Sequence, residues 1–298
     1  MPELNAIIAR LEPELGAFEG DARPLDGGIT NRNFRVRFAG EELVLRLCDH
    51  ATDVLGIDRT TEEIAARRAA AERIAPPVVA FLSDVPALVT RWLPGGTLTP
   101  EEVRAPGVLG QIAELLRRLH ASTPLPTSFS VFRLVERQRE LAATVPSSYD
   151  EVLALAGRIE AALIGPEHEP VPCHNDLLTA NFVRDGQRVC IVDWEYAGMN
   201  DRYFDLGNLS VNNGFGRDED RALLELYFEE PVTERRFAAL QLMRLISDFR
   251  EGMWGAVQNG RSSLDFDYGA YATEHFERLE RAAADPHVEE WIAVAAGA

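Results

Sequence analysis

Lysine is absent from this chain of 298 residues, and all thirty basic residues are arginine. Any mechanism that needs a lysine is thereby excluded, whether as a Schiff-base amine or as the cation of a Walker phosphate loop. Cysteine is scarce. Cys48, Cys173 and Cys190 are odd in number, sit in apolar surroundings and lack CxxC spacing, which speaks against a disulfide framework or a zinc site and fits a reducing cytoplasm. Positive charge is short as well, with 48 acidic residues against 30 basic ones and a formal charge of -18. That balance argues against nucleic-acid or anionic membrane partners and favours a small cationic molecule. No apolar run approaches the roughly eighteen residues of a membrane span. The opening "MPELNAIIARLEPELGAF" is acidic where a signal peptide is basic. A cytoplasmic protein with no membrane and no nucleic-acid partner is expected.

At 46% hydrophobic and 26% charged residues the composition is globular, and the chain is long enough for one large core or two modest ones. Apolar spacing over residues 4–18 predicts an opening helix. The segment "RPLDGGITNRNFRVRFAGEELVLRLCD" holds two alternating runs separated by Ala39-Gly40 and preceded by a Gly-Gly turn, the pattern of three strands joined by hairpins. Residues 58–75 read as a helix stopped by Pro76-Pro77, and "VVAFL" and "ALVTRWL" as two further strands. "PGGTLTP", residues 94–100, is the best linker in the chain. Beyond it the period changes. Val108, Leu109, Ile112, Leu115, Leu116 and Leu119 share one helical face, and helices are expected near 149–164, 218–229, 233–258 and 268–283. The expected architecture is α+β and bilobal, with a small antiparallel-sheet N-lobe over 1–93 and a larger, mainly helical C-lobe over 94–298.

The densest polar stretch lies among short strands of the second half, "HNDLLTANF" followed by "IVDWEYAGMNDRYFDLGN". Asp176 and Asn181, five apart on a loop, and Asp193 at the end of an apolar run can surround one space with three oxygen ligands. Mg2+ takes such hard ligands and shares its other positions with phosphates. Phosphoryl transfer needs from a protein little beyond in-line geometry, neutralised phosphates and a base for the attacking hydroxyl. On this reading Asp176 orients and deprotonates the hydroxyl, while Asn181 and Asp193 hold the metal. An isolated HxD, or an Asn or Asp in a loop, is more often a turn device. The complete set at this spacing carries the assignment.

These motifs resemble those of the choline/ethanolamine kinases, which stand with the aminoglycoside phosphotransferases in the protein-kinase-like fold. The likeness extends over nearly the whole chain, through "LDGGITNRNFRV", "LVLRL", "IDRTTEE" and "IAPPVV" to "MWGAVQNGRSSLDFDYGAYATEHFERL". That last segment is similar to choline kinases in particular. The resemblance implies ATP as co-substrate with Mg2+, Asp176 as the base, Asn181 and Asp193 as Mg2+ ligands, and Glu195 as a further ligand of metal-bound water or substrate. It also implies supporting roles for His174 and for Asp205, which would brace the catalytic loop. Arg46 falls where protein kinases carry a strand lysine, and an arginine fork can bridge phosphate oxygens in its place. Glu62 is its expected partner, with adjacent Glu63 as the alternative. "GGITNRN", containing Gly28, Thr30 and Asn31, would cover the phosphates, although it matches neither G-x-G-x-x-G nor the Walker pattern.

Trp254 and Tyr271 match aromatic positions that the family places around the choline headgroup, and aromatic faces backed by carboxylates hold a quaternary ammonium best. Two residues depart from the family pattern. Glu251 stands where several choline kinases have tryptophan, and Asn212 where an acidic residue is usual. A carboxylate in place of an aromatic wall favours a cation with N–H donors. The expected acceptor is a small cationic aminoalcohol, choline or ethanolamine, phosphorylated on its hydroxyl. Thiamine or an aminoglycoside as acceptor, or a catalytically silent nucleotide-binding module, are the other readings. Monomer or homodimer, and ATP or GTP, are left open. After Asp193 the chain reads Trp-Glu where protein kinases proper have Phe-Gly, and no A-P-E segment follows.

Overall fold

Side chains alternate along a strand, so Phe34, Val36 and Phe38 on one strand and Leu43, Leu45 and Leu47 on the next share a side of their sheet; all six are buried. The computed structural model describes residues 4–25, 31–48, 55–85, 87–262 and 265–297. In it β1 (Arg23–Leu25), β2 (Arg32–Phe38), β3 (Glu41–Leu47), β4 (Val78–Leu82) and β5 (Ala87–Arg91) form an antiparallel sheet in the order β1-β2-β3-β5-β4. Helix α1 (Leu4–Leu15) packs Ile7, Ile8 and Leu11 on the apolar side. The same alternation turns Asn33, Val44 and Arg46 to the other side, where they line a cleft. Ala39 and Gly40, at φ 45° and 82°, make the two-residue turn between β2 and β3 whose left-handed residues match the strand twist.

Helix α2 (Arg59–Ala71) starts on Asp58, whose side chain accepts the Thr61 N–H at 2.6 Å. It ends short of the prolines. Arg73 takes φ 56°, and the N–H groups of Arg73 and Ile74 return to Ala70 and Ala69 oxygens at 3.0 and 2.7 Å, a Schellman closure. The linker after β5 is tied down. Leu98 N–H bonds the Phe182 oxygen and Arg184 N–H the Gly96 oxygen, each at 2.9 Å. A Cβ on Gly95 would sit 2.6 Å from the Arg184 oxygen, so glycine is required there for close approach.

The rest is mainly helical: α3 (Pro100–Arg104), α4 (Pro106–His120), α5 (Val131–Leu141), α6 (Tyr149–Ala162), α7 (Arg202–Asn212), α8 (Arg217–Phe228), α9 (Glu234–Gln258), α10 (Tyr268–Ala283) and α11 (Val288–Ala296). Two small ribbons interrupt it, β6 (Val171–Cys173) with β9 (Gly198–Asn200), and β7 (Phe182–Asp185) with β8 (Arg188–Ile191). The fold is α+β, as expected. Helices α3, α5, α7 and α11 depart from the expectation. In α7 every residue from Tyr203 to Val211 is buried, and a helix covered all round has no polar face to show a period. Gly207 lets it cross α9 closely, since a Cβ there would lie 2.7 Å from the Met243 carbonyl carbon. No helix among the described residues is long and apolar enough to cross a membrane.

Candidate active site

A cavity of about 580 Å³ lies between the sheet and the helical part. Val78, Leu88, Thr90 and Trp92 line it from the sheet, Asp176, Asn181 and Asp193 from the loops around β6–β8, and Glu251, Trp254, Phe266 and Tyr271 from the region of α9 and α10.

Buried Arg46 ion-pairs with both Glu62 and Asp193. Glu62 also accepts from Arg59 at 2.7 Å, and the same Arg59 nitrogen reaches Glu195 Oε2 at 3.0 Å, where Asn31 Nδ2 donates as well. A chain of alternating charge therefore links β3, α2 and the loop after β8. Burial works against the Arg46 charge, yet Asp193 beside it raises the guanidinium above its ordinary value. Glu63 turns to the surface and pairs with Arg67 at 2.9 Å, so Glu62 is the partner of Arg46. Gly28 and Thr30 lie outside the described residues.

The loop after β6 is held from three sides. Asp205 on α7 accepts the backbone N–H of His174 at 2.8 Å and of Asn175 at 2.7 Å, with His120 Nε2 3.1 Å away. Asn175, at φ 66°, donates its amide to the Tyr196 oxygen at 2.9 Å. The Asp176 N–H donates to His174 Nδ1 at 3.2 Å, and His174 Nε2 lies 3.0 Å from the Val192 oxygen. A carbonyl only accepts, so the ring proton sits on Nε2 and the imidazole is neutral. Burial lowers the His174 pKa in the same sense. His174 thereby ties the loop to the residue preceding Asp193.

Asn181 gives its amide nitrogen to the backbone oxygen of Asp176 at 2.8 Å and to Oδ2 at 3.2 Å. That leaves its carbonyl oxygen, with the Asp193 oxygen not on Arg46, as a pair of hard ligands suited to a divalent cation. Burial pushes the Asp176 carboxyl well above the usual carboxylate range, and Arg250 opposes the shift. A second cluster, His120, Cys173 and Asp205, gathers within 4.8 Å, but both Asp205 oxygens are committed to loop N–H groups.

Arg250, absent from the sequence reading, lies at the centre of the other end. Its Nη1 reaches Asp176 Oδ1 at 3.3 Å and Glu251 Oε1 at 2.6 Å, and its guanidinium carbon stands 4.3 Å from the Tyr196 ring centroid. Glu251 accepts in addition from the Tyr271 hydroxyl at 2.8 Å, so it is a bonded carboxylate and not the open one that the sequence suggests. Trp254 donates Nε1 to the Tyr196 hydroxyl at 2.8 Å and meets Tyr271 edge-on at 5.5 Å. Asn212 is engaged elsewhere, with Arg278 at 3.3 Å.

Residues 21–240 match the model of the phosphotransferase enzyme family. Ethanolamine kinase 2 of Mus musculus is 27% identical over 315 residues, covering 93% of this chain and 80% of the mouse protein. The crystal structure of a choline/ethanolamine kinase family protein from Mesorhizobium loti superposes with a TM-score of 0.85 at 30% identity, over 99% of both chains. Choline kinase LicA from Streptococcus pneumoniae shares the fold, with a TM-score of 0.81 at 21% identity over 94% of this chain and 98% of LicA. By sequence, fold and the extent of the match, the chain belongs to the phosphotransferase enzyme family and, within it, to the choline/ethanolamine kinase family.

Proposed function

We propose that the protein transfers the γ-phosphoryl group of ATP to the hydroxyl of a small cationic aminoalcohol, choline or ethanolamine. The observation that carries this reading is the position of Asp176, which touches Asn181 on one side and, through Arg250, joins the Glu251–Tyr271–Trp254 pocket on the other. A hydroxyl beside Asp176 would lose its proton to that carboxylate as its oxygen forms the new bond to phosphorus and the bond to ADP breaks. Asn181 and Asp193 would hold Mg2+, which when bound neutralises charge on the phosphates. Arg46 would exchange Asp193 for phosphate oxygens while Glu62 keeps it in place, and the segment containing Gly28, Thr30 and Asn31 would cover the phosphates. Asp205 and His174 would position the base, and Glu195 the region next to the metal. The sheet-rich segment 1–93 would hold the nucleotide and 94–298 the acceptor.

The acceptor assignment is supported by the aromatic and acidic residues of the pocket, by the overall charge of -18, and by relatives named as ethanolamine kinases. The test is ADP release from ATP and Mg2+ with choline, ethanolamine, thiamine and an aminoglycoside in parallel, for the natural chain and for Asp176→Asn. The expected result is release with choline or ethanolamine that is lost in the variant while nucleotide binding persists. Release with thiamine or the aminoglycoside alone would refute the acceptor assignment, and equal turnover in the variant would refute the role of Asp176.

A further inference from the structure

We infer that Arg250 is a specificity-determining and positioning residue: its charge balances one of the two acceptor-end carboxylates, Asp176 and Glu251, so that the pocket keeps one net negative charge and selects acceptors with one positive charge. The inference rests on the proposed reaction and adds to it a rule for which alcohols are taken.

Three charged side chains share a small buried space. Asp176 and Glu251 line the cleft at 7% and 1% exposure, and Arg250, at 1%, lines it with them. One Arg250 nitrogen serves both carboxylates, at 3.3 and 2.6 Å, and the guanidinium face rests on Tyr196. Its Nε and Nη2 are buried with no hydrogen-bond partner among the described residues. A buried guanidinium with two unpartnered nitrogens is costly, and an apolar residue on α9 would avoid that cost. What an apolar residue could not do is keep two carboxylates together beside the acceptor hydroxyl.

The count takes Asp176 in the ionised form in which it would serve as the base, and the groups around the pocket leave it unchanged: on the nucleotide side Asp193 pairs with Arg46 and Glu195 with Arg59. Tyr196 and Tyr271 are held neutral, because burial raises both hydroxyls. Asp248, three residues before Glu251 on α9, is matched by Arg278 at 2.8 Å, with His275 Nδ1 3.0 Å away. An acceptor with one positive charge therefore completes the balance. A neutral alcohol leaves a buried negative charge uncompensated, and a polycation such as an aminoglycoside finds too few carboxylates.

The test compares acceptors of the same shape with and without charge, choline against 3,3-dimethylbutan-1-ol and ethanolamine against propan-1-ol, as ratios of kcat/KM. Glu251→Gln should lower the charged-to-neutral ratio by about tenfold or more, and Arg250→Met should raise it by about as much, the scale set by one unit charge at a partly buried site. The double variant carrying both changes restores the net charge and should return the ratio to within about threefold of the natural chain. Arg250→Lys, which keeps the charge but not the planar fork, should lower kcat with little change in the ratio. Should Arg250→Met fail to fold, the double variant and Arg250→Lys still carry the comparison. A merely structural arginine would lower activity on every acceptor together, so unchanged ratios in both single variants, or a double variant as indiscriminate as Glu251→Gln, overturn the inference. A natural chain inactive on all four alcohols would instead refute the proposed reaction, and this rule with it.

Discussion

Asp205→Asn tests how the catalytic loop is held. Asp205 is fully buried and both of its oxygens accept, one from the His174 N–H at 2.8 Å and the other from the Asn175 N–H at 2.7 Å. Asparagine has the same shape but only one acceptor oxygen, and its NH2 group must face one of the two loop N–H groups in either orientation. The variant loses one hydrogen bond to a charged acceptor, about 1.5–3 kcal/mol, and strands one buried donor, about 1–3 kcal/mol, so a loss of roughly 3–5 kcal/mol is expected. That is a large share of the roughly 5–15 kcal/mol that stabilises a typical domain. At about 2–4 °C per kcal/mol for a chain of this size, the Tm should fall by roughly 6–20 °C. Asp176 follows directly on the loosened residues, so acceptor-dependent ADP release should drop even at temperatures where the variant is folded. Thermal unfolding followed by circular dichroism, together with the ADP assay well below Tm, reads both effects. A Tm within about 3 °C of the natural chain with unchanged turnover would refute the reasoning, and would mean that the Asn175–Tyr196 and His174–Val192 contacts suffice.

Two further outcomes are expected. Gly207→Ala places a Cβ 2.7 Å from the Met243 carbonyl carbon and 2.8 Å from the Arg244 nitrogen; backbone cannot step aside as a side chain can, so the overpacking should cost about 1–3 kcal/mol. A urea midpoint unmoved by this substitution would show that α7 and α9 are free to shift apart. The second outcome concerns pH. His174 is buried and neutral with its pKa lowered from 6.5, so below that value the unfolded chain binds a proton that the folded chain refuses, and stability falls as pH falls. Asp176, raised by burial, acts in the opposite sense, which is why the comparison is between the natural chain and His174→Gln. The natural chain should lose more stability between pH 7.5 and pH 5.5 in urea unfolding, and equal losses would refute the neutral imidazole.

How much of this was legible in the sequence depended on how far apart the interacting residues lie. Alternation in "NFRVRF" and "ELVLRL" was enough to place two strands, because side-chain direction along a strand is a local property. The trio Asp176, Asn181 and Asp193 stood out for a similar reason, polar residues at short spacing beside apolar runs. Periodicity failed for α7, where burial on every side removed the contrast it depends on. It could not find Arg250 either, since the residue sits in the buried end of α9 and its partner Asp176 is 74 positions away. Nor could it foresee that Tyr271, twenty positions after Glu251, would occupy that carboxylate.

The missing lysine connects these observations. Arg46 and Arg250 each join two carboxylates that come from different parts of the chain, Glu62 with Asp193 and Asp176 with Glu251. A planar guanidinium offers five N–H donors in fixed directions, whereas an ammonium is a compact charge on a flexible stem. A chain restricted to arginine can therefore set each buried cation as a bridge, with one bridge beside the expected phosphates and the other beside the expected acceptor. In the proposed reaction the first would open for a nucleotide, because Asp193 is also a candidate metal ligand. The second has no such duty, since neither of its carboxylates is proposed to take the metal, and it can keep the base and the acceptor pocket in register throughout the reaction.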